Sequence, residues 1–107
     1  MDLYKIHYSN NALEDLFEIY KYIAFEENEP SNAKNLINDI REKIRGLHYF
    51  PNRYALVEWS PWKDIGARRI NVKNYLIIYL VDENNKTVNI IRIFSSRRDI
   101  QSIALID

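Results

Sequence analysis

The sequence lacks cysteine, has only two glycines and three prolines, and carries no net charge over its 107 residues. Without cysteine there can be no disulfide, no thiolate metal site and no thiol nucleophile. The scarcity of glycine and proline, with an apolar content of 47%, excludes collagen-like and disordered chains. No apolar run approaches the roughly 18 residues that a membrane span needs, and no signal-peptide pattern is present. We therefore expect one soluble, cytoplasmic domain over residues 1–107 with no membrane partner.

Several kinds of catalytic site are disfavoured as well. His7 and His48 fall in different predicted elements, and neither has a second metal ligand at helical spacing. Gly46 and Gly66 are the only glycines, so no glycine-rich phosphate loop is present. Scattered serines and two histidines do not support a Ser–His–Asp triad. We predict neither a bound metal nor a cofactor.

The charges are unevenly distributed even though they cancel. Residues 1–59 carry seven Lys or Arg against ten Asp or Glu, and residues 60–107 carry eight against five. A dipolar domain of this kind can offer a basic face to phosphates or to an acidic protein segment. Helices that are simply rich in acids give the same distribution, and charge alone favours that simpler explanation.

Three runs near the C-terminus predict an antiparallel meander. Residues 67–73 alternate in polarity, so that Arg69 and Lys73 share one face of a strand. Tyr75–Val81 is apolar throughout, which is typical of a strand covered on both faces. The polar loop Asp82–Lys86 then leads into a third run, Val88–Phe94.

Two helices are predicted before the meander, after a short strand pattern at Leu3–Tyr8. Asn11 and Glu14 resemble a capping box for the first helix, which should end at about Glu26. Ser31, just after a proline, is expected to cap the second helix. That helix should stop near residue 48, because the residue before Pro51 is biased away from helical conformation.

The apolar stripes of both helices should pack on the sheet. The expected order is β-α-α-β-β-β-α, an α+β fold in which a helical hairpin covers an antiparallel sheet. Its predicted core includes Leu16, Tyr20, Ile37, Ile40, Ile44, Leu76, Ile78 and Ile93. A short final helix is expected after Ser96, with Ile100 and Ile103 on its apolar edge.

The segment between the second helix and the meander is the least determined. Ala55–Trp59 is a possible short strand, and Ser60–Asp64 suggests a loop with an exposed aromatic side chain. Trp59 and Trp62 suit either a groove for a partner or packing under the hairpin, and the sequence leaves both open.

The residues with the clearest potential for chemistry are cationic. Such a cluster can grip a phosphate backbone, and arginine can stabilise charge on a transferring phosphate. A metal-free RNase that uses a ribose 2′-hydroxyl needs such cations together with an acid and a base. Solubilising arginines, or arginines paired with acids of the first helix, explain the set equally well. The set is Arg68, Arg69, Lys73, Arg92, Arg97 and Arg98.

An ordered series of motifs resembles the RelE/ParE family of toxins from type II toxin–antitoxin systems. None is specific alone, but together they span nearly the whole chain in the right order. They are Tyr4–Ser9 with the Ala12-x-x-Asp15-Leu16 helix start, Leu47-x-x-Phe50-Pro51, the hairpin Arg69–Tyr79, and Ile91-x-Ile93 followed by Ser96–Ile100.

The resemblance implies a compact toxin that inhibits growth, as in plasmid stabilisation systems, and is silenced by a cognate antitoxin in a hetero-oligomer. The antitoxin wraps an otherwise disordered segment around the toxin. RelE-like members resemble ribosome-dependent endoribonucleases that cut mRNA. ParE-like members instead poison DNA gyrase.

Carried over to this chain, the RNase pattern assigns Arg69, Arg97 and Arg98 to holding and polarising the scissile phosphate. Arg68 and Lys73 would bind RNA. Two family positions differ, because Leu76 stands where RelE-type nucleases have arginine and the C-terminal tyrosine is missing near Ile103. The leading expectation is mRNA cleavage; the alternatives are non-enzymatic gyrase inhibition and an inactive module that only binds antitoxin.

Overall fold

The computed structural model describes residues 3–96 and shows two helices packed on one four-stranded sheet. The predicted α+β class and order of elements are confirmed. The predicted final helix lies outside the described residues. In chain order the elements are β1 (Lys5–Tyr8), α1 (Asn10–Lys21), α2 (Pro30–Arg45), β2 (Arg68–Val72), β3 (Tyr75–Asp82) and β4 (Thr87–Ser95).

The sheet is mixed rather than wholly antiparallel. Its strand order is β1-β4-β3-β2, and the predicted meander of β2, β3 and β4 is antiparallel. In contrast, β1 pairs with β4 in parallel, with Lys5 opposite Thr87. The expectation of an all-antiparallel sheet was wrong for this pair. Everything from α1 to β3 lies between the two strands in sequence, and so long a connection permits parallel pairing.

Both helix starts differ from the predicted ones. Ser9 is the N-cap of α1, since its Oγ accepts a hydrogen bond of 3.0 Å from Ala12 N. Asn11 lies inside the helix and is not its cap. Pro30 is the first residue of α2, so Ser31 is not the cap of that helix either. Proline suits the first helical position because the N–H that it lacks has no helical partner there.

The predicted helix ends agree better with the structure. The segment Gly46–His48 continues α2 as one 3₁₀ turn, which ends at the predicted residue. The helical path of α1 runs on to the predicted Glu26, but Tyr22–Glu26 form a π-helical turn. The side chains of Tyr22 and Phe25 in that turn are 55% and 72% exposed.

Apolar clusters lie on both sides of the sheet. The larger one joins the helices to the sheet through residues such as Leu16, Ile40, Ile44, Ile77 and Ile93. Tyr20 and Ile37 pack at its margin and are only partly buried. The smaller cluster, here called the loop-side cluster, consists of Val57, Trp62, Ala67, Leu76, Ile78 and Phe94.

The loop-side cluster decides the questions left open before β2. Trp62 is fully buried, so the expected exposed aromatic side chain in Ser60–Asp64 was wrong. The possible strand at Ala55–Trp59 is reduced to one bridge, between Leu56 and Arg68. Within residues 3–96, no helix is long and apolar enough to cross a membrane.

Candidate functional site

The two adjacent arginines of β2 point to opposite faces of the sheet, because consecutive strand residues alternate. Arg68 Nη1 donates a hydrogen bond of 2.6 Å to Tyr54 O, which ties the preceding loop to the strand. Arg69 is opposite Ile78, a member of the loop-side cluster. Its Nε is buried and has no hydrogen-bond partner in the described part of the chain.

Lys73 lies in the two-residue turn between β2 and β3, not in a strand. Its backbone φ is 53°, and its Nζ is 2.9 Å from Asp39 Oδ2 of α2. The expectation that it shares a strand face with Arg69 was therefore wrong. At the usual rise per strand residue, the two backbone positions are about 13 Å apart.

Arg92 has a structural role rather than an available charge. It is only 9% exposed, and it donates two hydrogen bonds, of 2.9 and 3.1 Å, to the carboxylate of Asp15. The same carboxylate accepts a third, of 2.8 Å, from Ile93 N. Asp15 thus binds α1 to β4 beyond the end of β1. Arg92 therefore fits the alternative to a phosphate-binding cluster, in which arginines pair with acids of the first helix.

Arg97 and Arg98 lie outside the described residues. The chain leaves the described part beside the β2–β3 turn, where Ser96 N donates a hydrogen bond of 2.8 Å to Asn74 O. Among residues 3–96, Arg68 and Arg69 lie on opposite faces of β2, and Lys73 lies in the turn that follows it. Arg92 is held in a buried ion pair. These four cations do not form a single cluster within residues 3–96.

Groups suited to proton transfer are also separated. His48 is exposed, with Nδ1 2.7 Å from Arg45 O, and Glu58 is exposed on the loop before β2. Tyr79 is buried and donates a hydrogen bond of 2.7 Å to Pro51 O. Burial raises the pKa of Tyr79 to about 12, so this phenol keeps its proton at neutral pH. The described residues include no group of three metal ligands.

A groove of about 1070 Å³ separates the end of α1 from α2 and the β2–β3 turn. Its lining residues include the acids Glu18, Glu27 and Glu29, the basic Lys73, and Asp15, whose carboxylate is already paired with Arg92. This acidic groove was not predicted from the sequence. The acidic run at the break between the helices was its only sequence signal.

The comparisons with known proteins agree with this fold. Residues 6–100 match the model of a family described as the ParE toxin of the type II toxin–antitoxin system parDE. No curated protein matches the sequence closely enough to count as a relative.

Solved structures of similar fold come from several toxins. A chain of the chromosomal ParDE system of Pseudomonas aeruginosa superposes with a TM-score of 0.69 at 22% identity, over 87% of this chain and 96% of that one. A chain of the RelBE2 toxin–antitoxin complex of Mycobacterium tuberculosis gives 0.62 at 18% identity, over 89% and 93%. A mutant of Escherichia coli RelE in the free state gives 0.61 at 12% identity, over 92% and 90%.

The family match covers most of the chain and includes β1 from its second residue, both helices and the whole meander. The chain therefore belongs to the ParE toxin family of type II toxin–antitoxin systems.

Proposed function

We propose that this toxin arrests growth in the cytoplasm by binding DNA gyrase, without carrying out chemistry itself. The observation that carries the proposal is the loop-side cluster on the sheet. Leu76, where RelE-type nucleases have arginine, is 3% exposed and packs there among Trp62, Ile78 and Phe94. An RNase needs polar groups around a phosphate, whereas this position is apolar and closed.

A cognate antitoxin is the second partner in the proposal. The similar structures from P. aeruginosa and M. tuberculosis come from toxin–antitoxin systems. The acidic groove offers such a partner a docking surface, and the exposed Tyr22 ring lies on its wall. A basic segment with apolar side chains complements both features, because its charges would meet carboxylates while its apolar groups cover the ring.

Cleavage of mRNA is the second candidate, and one observation favours it. Arg69 is partly exposed and its buried Nε has no hydrogen-bond partner within residues 3–96, and the outer nitrogens of such a guanidinium can bind a phosphate oxygen. In this candidate Arg69, Arg97 and Arg98 polarise the scissile phosphate, and Arg68 and Lys73 hold the RNA. The partners would then be the ribosome and its message.

Induction of the toxin in growing bacteria, followed by primer extension on an abundant message, separates the two candidates. Wild type, Arg69→Ala and Arg97→Ala are compared, with Lys34→Ala as a control for loss of an exposed charge. Gyrase binding predicts arrested growth with intact messages in wild type. Cuts within translated codons that disappear in Arg97→Ala would contradict it and select mRNA cleavage. Normal growth with all four proteins would contradict both candidates and leave antitoxin binding as the only function.

A further inference from the structure

The backbone at Phe50 adopts a conformation that its sequence position opposes. Its φ and ψ are 48° and 56°, in the left-handed region, which a bulky side chain rarely enters. It also precedes Pro51, and a residue before proline favours extended backbone. The Phe50 side chain is nevertheless 61% exposed, so burial of the ring does not compensate for the strain.

Three side chains hold this loop in place. Tyr79, from the sheet, donates its buried hydroxyl hydrogen bond to Pro51 O. Arg53 donates to the carbonyl oxygens of Tyr49 and, at 3.0 Å, Phe50. Arg68 donates to Tyr54 O on the far side of the loop. All four bonds engage backbone carbonyls, so they fix the chain and leave the Phe50 ring outside. Strain maintained in this way is typical of sites with a function.

The rings and charges around Phe50 form an aromatic and basic surface. The Tyr49 and Phe50 rings meet edge to face with centroids 4.5 Å apart, and the His48 ring is 6.2 Å from that of Tyr49. The last turn of α2 adds the exposed cation Arg45, and the exposed Arg53 lies in the loop itself. The neighbouring acid, Glu42, pairs with Arg45.

We propose that the Tyr49–Phe50 loop is a stacking platform for single-stranded nucleic acid. Proteins that bind single strands combine exposed aromatic rings, on which bases stack, with cations that track the backbone. Protein interfaces are also enriched in tyrosine, phenylalanine and arginine, so a protein partner is the alternative that the test below distinguishes. The platform consists of other residues than the acidic groove and the loop-side cluster, so it does not depend on which target the toxin has.

Fluorescence anisotropy with labelled single-stranded RNA and DNA of matched mixed sequence tests the platform on the purified full chain. Phe50→Leu keeps an apolar side chain but removes the ring, and we expect affinity to fall roughly five- to a hundredfold. Phe25→Leu, which removes an equally exposed ring from the acidic side, should leave affinity unchanged. Arg45→Gln should reduce the salt dependence of binding. Tighter binding of RNA would indicate a message as the ligand, and tighter binding of DNA a gyrase substrate.

Three results would overturn the proposal. They are absence of binding by wild type, equal loss in Phe50→Leu and Phe25→Leu, and loss of gyrase inhibition in Phe50→Leu with oligonucleotide binding unchanged. The third would make the loop a protein contact. A thermal unfolding curve checks that each variant is folded, and Phe50→Gly is a second variant that removes the ring while relieving the backbone. Inhibition of gyrase supercoiling by the wild-type toxin, measured separately, tests the proposed function.

Discussion

Two regions of this toxin expose aromatic rings, and they differ in charge and in how the rings are held. The surface of α1 and its π-helical turn presents the exposed rings of Phe17, Tyr22 and Phe25, of which Tyr22 lines the acidic groove. The Tyr49–Phe50 loop presents its rings next to Arg45, at the end of α2, and Arg53, within the loop. The rings of the first region stand on helical backbone, α-helical at Phe17 and π-helical at Tyr22 and Phe25, whereas Phe50 stands on strained, left-handed backbone that side-chain hydrogen bonds fix.

The difference indicates two kinds of ligand for one small domain. An acidic surface with exposed rings complements a basic, partly apolar protein segment. A basic surface with exposed rings complements nucleic acid.

Asp15→Ala should have the largest effect, because Asp15 joins α1 to the sheet and lines the acidic groove. The change leaves the buried Arg92 guanidinium without its partner and Ile93 N without an acceptor. Loss of one partner of a buried ion pair lowers the free energy of unfolding by about 3–5 kcal/mol. Urea denaturation measures this. The control, Asp39→Ala, removes the exposed partner of Lys73 and should cost less than about 1 kcal/mol. Equal losses would contradict the structural role of Arg92.

Leu76→Arg changes the loop-side cluster, which belongs neither to the acidic groove nor to the Tyr49–Phe50 loop. It restores the arginine of RelE-type nucleases but inserts a charge into the loop-side cluster. We expect the free energy of unfolding to fall by at least about 3 kcal/mol, with no RNase activity gained. Leu76→Met, of similar volume, should cost less than about 1.5 kcal/mol. A stable Leu76→Arg protein that cleaves translated mRNA would contradict the proposed mechanism and favour the second candidate.

Ser9→Ala examines how the acidic surface is anchored at the start of α1. Its hydroxyl accepts a hydrogen bond from Ala12 N and donates one of 2.9 Å to Ile91 O. Loss of an N-cap lowers stability by about 1 kcal/mol. Asn11→Ala should change it by no more than about 0.5 kcal/mol, because Asn11 is not the cap. If chemical denaturation showed a larger loss of stability for Asn11→Ala than for Ser9→Ala, the capping box expected from the sequence would be correct.

Glycine substitutions compare the two backbones directly and should have the smallest effects. Phe25→Gly places glycine in a helical turn and should lower the free energy of unfolding by about 1 kcal/mol. Phe50→Gly removes a left-handed penalty of about 1–2 kcal/mol and adds the entropy cost of glycine, about 0.5–1 kcal/mol. It should therefore raise stability slightly. If calorimetric melting showed equal losses of stability for Phe25→Gly and Phe50→Gly, the backbone at Phe50 would not be strained.

The sequence predicted the features that depend on local pattern. Alternation and apolar runs located the meander, the stripes located the helices, and Leu16, Ile40 and Ile44 are buried as expected. Asn11 was preferred as the cap within Ser9–Asn11 because Glu14 follows it by three residues, whereas the capping hydrogen bond is the one from Ala12 N to Ser9 Oγ. The parallel pairing of β1 with β4 is a long-range choice that no local window contains.

The site was less predictable than the fold, for the same physical reason. Arg92 resembled an available cation, yet it lies in an apolar strand, and a lone charge there requires a buried partner. That partner, Asp15, interrupts the apolar stripe of the first helix, so the pair had a sequence signal. The left-handed backbone of Phe50 had none, because it depends on Tyr79, which is distant in sequence.

Titration of purified toxin against DNA gyrase in a supercoiling assay tests the proposed mechanism most directly. We expect inhibition to be complete at about one toxin per gyrase, and to be unchanged by Arg69→Ala and Arg97→Ala. The same toxin should leave mRNA intact in a translating extract. Uninhibited gyrase together with cleavage of translated mRNA that either substitution abolishes would contradict the mechanism and make this toxin a ribosome-dependent RNase.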